Sequence, residues 1–557
     1  MPPLKAPQEH GAIIAEPPLT EAGRIVAANR QRLEQAPFPV LGRPSTDLLR
    51  QGREVVVAAA KEYLHQAGEP TADFGHTSIL MAGHQPELFH PGVWVKNFAL
   101  NGLAQTLRAT PINLVVDQDT AKATALRMPV LSSAEDPWPH AVSLPYDYWS
   151  GEVPFEERMV NDEDLFGSLP KRAGPHLQDW GFVPLLDSFW LEVGKQAKRT
   201  RLLGERLVAA RRTFERRWGC PNLELPVSHL CRTEPFAWFA GQLLAELPRF
   251  HGIYNGCVQA YRRRYGIRSR NHPVPDLAQE GEWLETPFWA WRTGQQQRGR
   301  LWARQFPTAL ALRVDAERWP DLPSAHHREA GAQGGAALVR AWQELEQRGF
   351  KIRSRALTNT LFARCFLADL FIHGIGGGKY DELTDEISQR FYGREPPQYL
   401  VLSATLLLPL PGFPARPELY RKLSSELRDL RYNPQRHLDR QSATSTALDL
   451  ATEKQAWITK APADKHSRRE QFHVLRELTE KLRPFVASQF RTLQEQQQRC
   501  AQELQANAVL ERRDYPFCLY PETMLRRFCS QFLAEETEPP AGGSDGRPAR
   551  TMPRTGP

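Results

Sequence analysis

The stretch Ser78–Asp119, SILMAGHQPELFHPGVWVKNFALNGLAQTLRATPINLVVDQD, decides the fold class of this chain. Residues 78–83 form an apolar run that ends in glycine and predicts a buried strand. Residues 91–109 carry apolar side chains at the helical period, with Pro91 in the first turn, where its missing N–H costs little. Residues 111–119 predict a second buried strand that ends in two carboxylates. Strand, helix and strand in this order form a βαβ unit, which implies parallel strands with a right-handed crossover.

Helices and strands alternate along much of the remaining chain. The patterns predict helices at residues 21–35, 46–66, 184–217, 235–247 and 337–350 and strands at 222–230, 283–292, 308–315 and 399–409. Such alternation favours an α/β fold whose sheet is interrupted by inserted segments.

We divide the chain into four parts from these patterns. Residues 1–45 form an extended and helical N-terminal arm, and residues 46–414 form the α/β core, with an insertion around 135–340. Residues 415–534 form a C-terminal helical segment. Residues 535–557 are rich in proline, glycine and charge, cannot bury a core and are predicted to be disordered.

The C-terminal segment is expected to fold as a helical hairpin. Between residues 463 and 512 apolar side chains recur at mixed three- and four-residue steps, and Pro484 is the only proline. This spacing fits two antiparallel helices within 463–512 that form a coiled coil. A single helix lying on the main domain is the alternative.

Composition excludes several classes of protein. The chain has 557 residues, of which 41% are hydrophobic and 24% are charged, as in ordinary soluble proteins. No window approaches the roughly 18 consecutive apolar residues of a membrane span. The N-terminus lacks the pattern of a secretory signal. We therefore expect a cytoplasmic protein without a membrane partner.

Charge and cysteine usage narrow the choice of partners. The net charge is +7, and arginines cluster in Lys198–Arg217 and Tyr261–Arg270. The first cluster has helical spacing and is typical of the solvated face of a packed helix, while the second suits a small anionic substrate, so nucleic-acid binding is not expected. The seven cysteines are scattered without a C-x-x-C pair, which argues against a zinc site or a disulfide framework and predicts buried thiols.

A glycine cluster follows a second apolar run, in FIHGIGGGKYDELTDEI (Phe371–Ile387). Glycines let the backbone take positive φ and approach a ligand, and a helix that begins at the end of such a loop offers N–H groups to an anion. The pattern is neither a P-loop nor G-x-G-x-x-G. The residues predicted to contact substrate here are His373, Gly376, Gly377, Gly378, Lys379, Tyr380 and Asp381. A purely structural turn is the alternative.

The loop GHQPELFHPG (Gly83–Gly92) follows the first strand of the βαβ unit. Open α/β sheets bind ligands outside the carboxyl ends of their strands, and histidine acts as acid or base near neutral pH. The predicted catalytic residues are His84, Gln85, Asp117 and Asp119, and the predicted substrate contacts are His90, Lys96 and Asn97. The alternatives are a proline-rich turn that satisfies its own backbone and an N-capping role for Asp119.

Asp117 and Asp119 are compatible with several kinds of ligand. Carboxylates at a strand end bind a ribose, accept hydrogen bonds from an amine or hold Mg²⁺. A metal site of histidine and aspartate is a further alternative, which the spacing of the residues alone does not establish.

Two further constellations are weaker. Ser228, His229 and Glu234 suggest a hydrolase triad, but no G-x-S-x-G surrounds Ser228, and Thr233 as a helix cap explains the segment. The polar loop Asn271–Leu277 precedes an aromatic-rich strand that either lines a pocket or packs in the core.

Taken together, these motifs resemble the bacillithiol biosynthesis cysteine-adding enzymes, a family of cysteine ligases. The family's glycine-glutamine-glutamine-proline loop and following helix are matched by Gly83-His84-Gln85-Pro86 and by Trp94-Val95-Lys96. Its strand with an acidic end is matched by Val115–Asp119. Its glycine-rich turn with an acidic helix and the apolar strand beyond are matched by residues 356–383 and 399–408.

The resemblance implies a Rossmann-like core related to nucleotidyltransferases, a coiled coil that dimerises, and the joining of cysteine to a glucosaminyl malate. It covers residues 75–130 and 350–510, while 135–340 match nothing in the family. His84 replaces a glutamine, and His373 and Lys379 add basic groups, which puts the substrate in doubt more than the fold.

Three functions remain open at this point. The first is an enzyme that joins cysteine or another amine to a small anionic sugar-type metabolite, in which Asp117 and Asp119 position the amine or a ribose. The second is a nucleotidyltransferase-like enzyme acting on a sugar or cofactor precursor, with a nucleotide and Mg²⁺ as cofactors. The third is a non-enzymatic scaffold. Each is expected to be a homodimer through the C-terminal helices.

Overall fold

The computed structural model describes residues 4–35, 37–132, 137–268, 274–325, 331–439 and 441–533. The tail predicted at 535–557 and residues 271–273 of the predicted polar loop lie outside the described residues.

The described chain contains sixteen strands and eighteen α-helices. The strands are β1 (Ile13–Glu16), β2 (Pro39–Val40), β3 (Arg43–Pro44), β4 (Ile79–His84), β5 (Thr110–Val115), β6 (Ala125–Val130), β7 (His140–Pro145), β8 (Leu223–Pro226), β9 (Gln279–Glu280), β10 (Trp283–Arg292), β11 (Gly299–Gln305), β12 (Ala309–Val314), β13 (Glu317–Pro323), β14 (Phe350–Ser354), β15 (Leu370–His373) and β16 (Tyr399–Ala404). The helices are α1 (Ala22–Gln35), α2 (Ser45–Gln66), α3 (Pro91–Leu107), α4 (Glu163–Gly167), α5 (Leu169–Leu177), α6 (Leu186–Lys195), α7 (Leu203–Arg217), α8 (Val227–Leu230), α9 (Glu234–Ala245), α10 (Leu247–Arg264), α11 (Gly331–Gln347), α12 (Ala356–Phe366), α13 (Ile375–Tyr392), α14 (Pro417–Tyr432), α15 (Ser445–Thr459), α16 (Lys465–Leu482), α17 (Ala487–Leu510) and α18 (Glu522–Ser530).

A six-stranded sheet forms the centre of the molecule, in the order β1-β16-β15-β4-β5-β8. The five strands from β16 to β8 are parallel, and β1 is antiparallel to β16 at the edge. The predicted α/β fold with parallel strands is therefore confirmed. Counted along the chain, the parallel strands lie in the order fifth, fourth, first, second, third, so the sheet grows in opposite directions from the junction of β4 and β15.

Helices cover both faces of this sheet. Strand β4 is buried on both sides, as parallel strands are. Ile79 and Met81 pack into one core with α2 and α9, whereas Leu80 and Ala82 pack into a second core with α3 and α7. The alternation of side chains along the strand thus divides four consecutive apolar residues between two layers.

A second, antiparallel sheet has the order β13-β12-β11-β10-β14, with β9 paired to β10. It is built from residues 279–354 and packs against α10 and α11. Strand β8 lies within the predicted insertion but belongs to the main sheet, where Ile112 is paired with Leu223. The range 135–340 is therefore not one insertion, because these four buried residues complete the central sheet.

The C-terminal helices form a long antiparallel arm. Helix α14 lies along α17 and α15 lies along α16. The side chain of Gln497 donates a hydrogen bond to Ser424 Oγ at 2.8 Å, and that of Gln471 donates to the carbonyl of Trp457 at 2.6 Å. The chain reverses between α15 and α16, at residues 460–464.

The prediction that the chain reverses within 463–512 is therefore wrong. Helices α16 and α17 follow one another through a short 3-10 turn at Arg483–Val486, and both belong to the returning half of the arm. Pro484 is accommodated in that turn because a proline at the start of a helix loses no hydrogen bond. After α17 the chain re-enters the second core, where Phe517 and Tyr520 are buried.

Two composition-based expectations concern the whole fold. All seven cysteines are buried and unpaired, which confirms the prediction of buried thiols. Among the helices of the described residues, none has the length and apolarity needed to cross a bilayer.

Candidate functional site

A cleft of about 670 Å³ lies at the carboxyl ends of β4, β5 and β15, facing the second sheet. It lies where the chain connections that follow two neighbouring strands run in opposite directions along the sheet. Open α/β sheets bind ligands at this place. The predicted site residues that line it are His84, Gln85, His90, Lys96, Asp119, His373, Gly376, Gly377 and Tyr380. The structure thus brings together residues from both halves of the sequence.

Five predicted residues do not line this cleft, and two of them are polar residues of the first half. The Asp117 carboxylate accepts a hydrogen bond from the Ser228 backbone N–H at 2.9 Å and another from the Ser228 hydroxyl. Burial raises the pKa of Asp117 to about 7. Asn97 donates to the buried Glu215 at 2.7 Å. Both side chains are buried. The chain turns after Val115, where the Asp117 N–H donates to the Val115 carbonyl, and this turn separates Asp117 from Asp119.

The glycine cluster is not a loop, which corrects the prediction for residues 374–378. Helix α13 begins at Ile375 with Gly374 as its N-cap, so Gly376, Gly377 and Gly378 form its first turn. None of these four glycines has positive φ. A Cβ at Gly378 would lie 2.3 Å from Val401 Cγ2, so this glycine permits close packing of the helix on β16.

Lys379 lies on the other side of α13 and is exposed. It lines a separate cavity with Glu382 and Tyr399. Successive helical residues rotate by about 100°, so Lys379 is turned roughly 200° from Gly377. Asp381 is also outside the cleft and is buried behind His373, which it contacts.

The N-termini of three helices converge on the cleft. Helices α3, α12 and α13 begin beside it, with His90, Arg355 and Gly374 as their N-caps. None of the three caps accepts a hydrogen bond through its side chain. The first N–H groups of a helix lack intrahelical acceptors and carry the positive end of its dipole, so the three ends favour an anion.

Four basic side chains line the same cleft. Lys96 Nζ donates to the Gly83 carbonyl at 2.9 Å, and burial lowers its pKa to about 8. Arg298 donates to Asp119 Oδ1 at 3.1 Å, and Arg355 donates to Glu285 at 2.7 Å. Arg513 donates to Ser403 Oγ and to the Ala404 carbonyl, both at 2.9 Å.

The sequence patterns do not predict that these three arginines reach the cleft. Arg298 follows β10, Arg355 lies between β14 and α12, and Arg513 comes after the helical arm. The sequence signal nearest to them is the aromatic strand at 283–292, for which a pocket wall is one of the two interpretations. Its residue Trp289 lies between Arg298 and Arg355, whose guanidinium carbons are 4.5 and 4.1 Å from the ring centroid.

Several buried polar atoms of the cleft lining have no hydrogen-bond partner among the described residues. They are His90 Nδ1, Gln118 Oε1, Arg355 Nε, Asn359 Oδ1 and Arg513 Nε. Buried polar atoms are normally satisfied by protein groups, water or a ligand, so these five atoms give the cleft unused hydrogen-bonding capacity. Both donors and acceptors are present.

The histidines of the cleft are neutral at pH 7. Burial lowers the pKa of His84 to about 3 and that of His90 to about 4. His84 Nδ1 lies 3.1 Å from the Gln85 carbonyl, and Gln85 Nε2 donates to Asp119 Oδ2 at 3.0 Å. Gln85 and Arg298 thus hold the two oxygens of Asp119. Among the described residues, no group of three or more His, Cys, Asp and Glu side chains is arranged to hold a metal ion.

Comparison with known proteins found no family model and no curated protein that matches the chain.

Proposed function

We propose that the protein is an enzyme that binds a small anionic metabolite in this cleft and joins an amine to it. The observation that carries the proposal is the convergence of Lys96, Arg298, Arg355 and Arg513 with three helix N-termini. Arg298 pairs with Asp119 of the lining and Arg355 pairs with Glu285, which leaves the charges of Lys96 and Arg513 in excess. The cleft therefore carries a net positive charge, which attracts phosphate or carboxylate groups.

The strand order supports a Rossmann-like core for this proposal. The parallel strands have the order 3-2-1-4-5 when counted from β4, and β4 and β15 flank the junction. This is the order in which such cores bind ligands across the junction. The resemblance to the cysteine-adding enzymes rests on the same two strand ends, so a distant relationship to that family is part of the proposal.

We assign the roles by charge. The four basic residues and the helix ends hold the anionic substrate. Asp119, oriented by Gln85 and Arg298, accepts hydrogen bonds from the amine. His84 is neutral, so it offers the substrate a ring nitrogen as hydrogen-bond donor or acceptor and adds no charge to the cleft.

The test is product formation from cysteine and glucosaminyl malate, with and without ATP and Mg²⁺, followed by mass spectrometry. The expected product has the mass of the two substrates minus one water. Arg298→Gln removes a cation and frees the Asp119 carboxylate, so it should abolish turnover. Lys379→Ala, on the far side of α13, should retain the wild-type rate. Absence of product and of ligand-dependent thermal stabilisation with wild-type protein would leave a scaffold as the better account.

A nucleotide-consuming reaction is the second candidate, because the helix N-termini at the junction suit a phosphate chain. It predicts release of pyrophosphate from a nucleoside triphosphate in the presence of Mg²⁺. Turnover without any nucleotide would reject it.

We also propose that the arm mediates a homodimer. Leu419, Tyr420, Phe472 and Phe485 of the arm are exposed, although they are large and apolar. Burial of such side chains is a common source of association energy. Light scattering coupled to size exclusion should give twice the mass of one chain, and a monomer at micromolar concentration would contradict the proposal.

A further inference from the structure

His373, at the carboxyl end of β15, is held in one orientation on the wall of the cleft. The residue is 5% exposed, and its Nε2 lies 2.9 Å from Asp381 Oδ2. Phe371 and Tyr399 pack against the imidazole with ring centroids 4.5 and 5.2 Å away. The ring therefore has little freedom to rotate.

Asp381 is fixed and charged. Its Oδ2 also accepts from Arg364 Nη1 at 2.5 Å, and its Oδ1 accepts from Thr360 Oγ1 at 2.8 Å. Burial alone would raise the pKa of Asp381, but Arg364 and His373 hold it well below its usual range. A carboxylate has no proton to give, so the hydrogen between Asp381 and His373 belongs to Nε2.

The other ring nitrogen, Nδ1, then carries the lone pair. A Cβ built on Gly377 would lie only 2.9 Å from Nδ1, so the absence of a side chain at residue 377 leaves this atom approachable. Gly377 lines the cleft beside His373. A nitrogen with a lone pair, oriented by a carboxylate and bordering a ligand cleft, has the geometry of a general base.

Burial keeps the imidazole of His373 unprotonated before substrate binds. Burial lowers the pKa of His373, and Arg364 on α12 and Lys96 on α3 lower it further, while Asp381 on α13 opposes them. Tyr399 contributes a ring face from β16. At neutral pH the imidazole is thus ready to accept a proton, with a carboxylate in place to stabilise the imidazolium.

We propose that His373 is the proton acceptor of the cleft, with Asp381 as its positioning residue. A neutral imidazole and an X–H group of the bound nucleophile become an imidazolium and X with its electron pair retained. The X–H bond breaks, the Nδ1–H bond forms, and Asp381 keeps its hydrogen bond to Nε2. The identity of X–H as the amine rests on the proposed function, whereas the state of the imidazole does not.

The first experiment is ¹⁵N NMR of the full chain labelled at histidine, with His373→Gln used to assign the signals. We expect Nδ1 to be unprotonated and Nε2 to be protonated at pH 7. Asp381→Asn should keep this tautomer, because the amide oxygen takes the place of Oδ2 and accepts from both Arg364 and Nε2. Gly377→Ala should shift the Nδ1 signal, whereas Gly376→Ala should not, because a Cβ at 376 meets no atom within 4 Å. A protonated Nδ1 in the wild-type protein would overturn the proposal.

The second experiment measures turnover and KM. His373→Gln should lower kcat by roughly 10²–10⁴-fold with KM changed only a few-fold. A rise in KM with an unchanged kcat would make His373 a binding residue and overturn the proposal. If the wild-type protein shows no turnover with any amine, the proposed function fails, and the NMR result still decides the state of His373. Melting temperatures of each variant report whether it folds.

Discussion

Gly92→Ala is the substitution whose effect follows most directly from the backbone. Gly92 is in the first turn of α3, where the helix crosses the end of β16. A Cβ at this position would lie 1.9 Å from the Ala404 carbonyl oxygen, 2.9 Å from its carbon and 3.0 Å from Arg513 Nη2. Non-bonded carbons prefer separations of roughly 3.5–4.0 Å, so the helix must move by more than about 1 Å.

The free energy of unfolding should fall accordingly. Overpacking a well-packed site costs about 1–3 kcal/mol, and a clash between two backbones belongs at the upper end because neither rotamer nor side chain can relieve it. The shift also displaces Arg513 and with it one wall of the cleft. We therefore expect a loss of about 3 kcal/mol, together with weaker anion binding.

Urea denaturation followed by circular dichroism measures this loss. The matched control is Gly252→Ala, in the interior of α10, where an added Cβ meets nothing within 4 Å. The control should gain about 0.5–1 kcal/mol, because glycine inside a helix is less favourable than alanine by that amount. Equal stability of the two variants would refute the packing argument for Gly92.

Three further outcomes follow from buried polar groups. The pKa of His84 is depressed to about 3, so the stability contributed by its neutral ring is fully present above about pH 6.5 and is lost as the pH falls toward 3. His84→Gln should therefore reduce the slope of the unfolding free energy against pH by up to about 1.4 kcal/mol per pH unit, measured by urea denaturation from pH 7 to 4. Glu224 pairs with the buried Arg211 and Arg212, so Glu224→Gln should cost about 3–5 kcal/mol of unfolding free energy in the same assay. All seven thiols are buried, and burial raises the pKa of Cys231 to about 12, so Ellman's reagent should label none in the native protein at pH 8 and all seven in denaturant.

The parts of the fold that sequence predicts are those with a strong local signal. Strand β4, helix α3 and strand β5 were found because apolar runs and the helical period are properties of consecutive residues. Asp119 could be expected near His84, since the two strands of the βαβ unit are parallel and their carboxyl ends share an edge of the sheet. The order of the strands, by contrast, depends on which helices cover which face.

The errors at the site have a common origin. The sequence predicts a loop at Lys379, but α13 starts four residues earlier, and the helical rotation turns the Lys379 side chain away from the cleft. The predicted strand 111–119 places Asp117 and Asp119 together at its end, but β5 ends at Val115. Arg298, Arg355 and Arg513 reach the cleft from distant segments, so no local pattern identifies them.

The central claim is that the cleft between β4 and β15 binds an anionic metabolite. Isothermal titration calorimetry of glucosaminyl malate, and of inorganic phosphate as a simpler probe, tests it directly with three proteins: wild type, Arg298→Gln and Lys379→Ala. Losing a charge-assisted hydrogen bond costs about 1.5–3 kcal/mol, so Arg298→Gln should weaken binding by roughly 10–100-fold, while Lys379→Ala binds like the wild type. Equal affinity of all three proteins, or a loss confined to Lys379→Ala, would contradict the account.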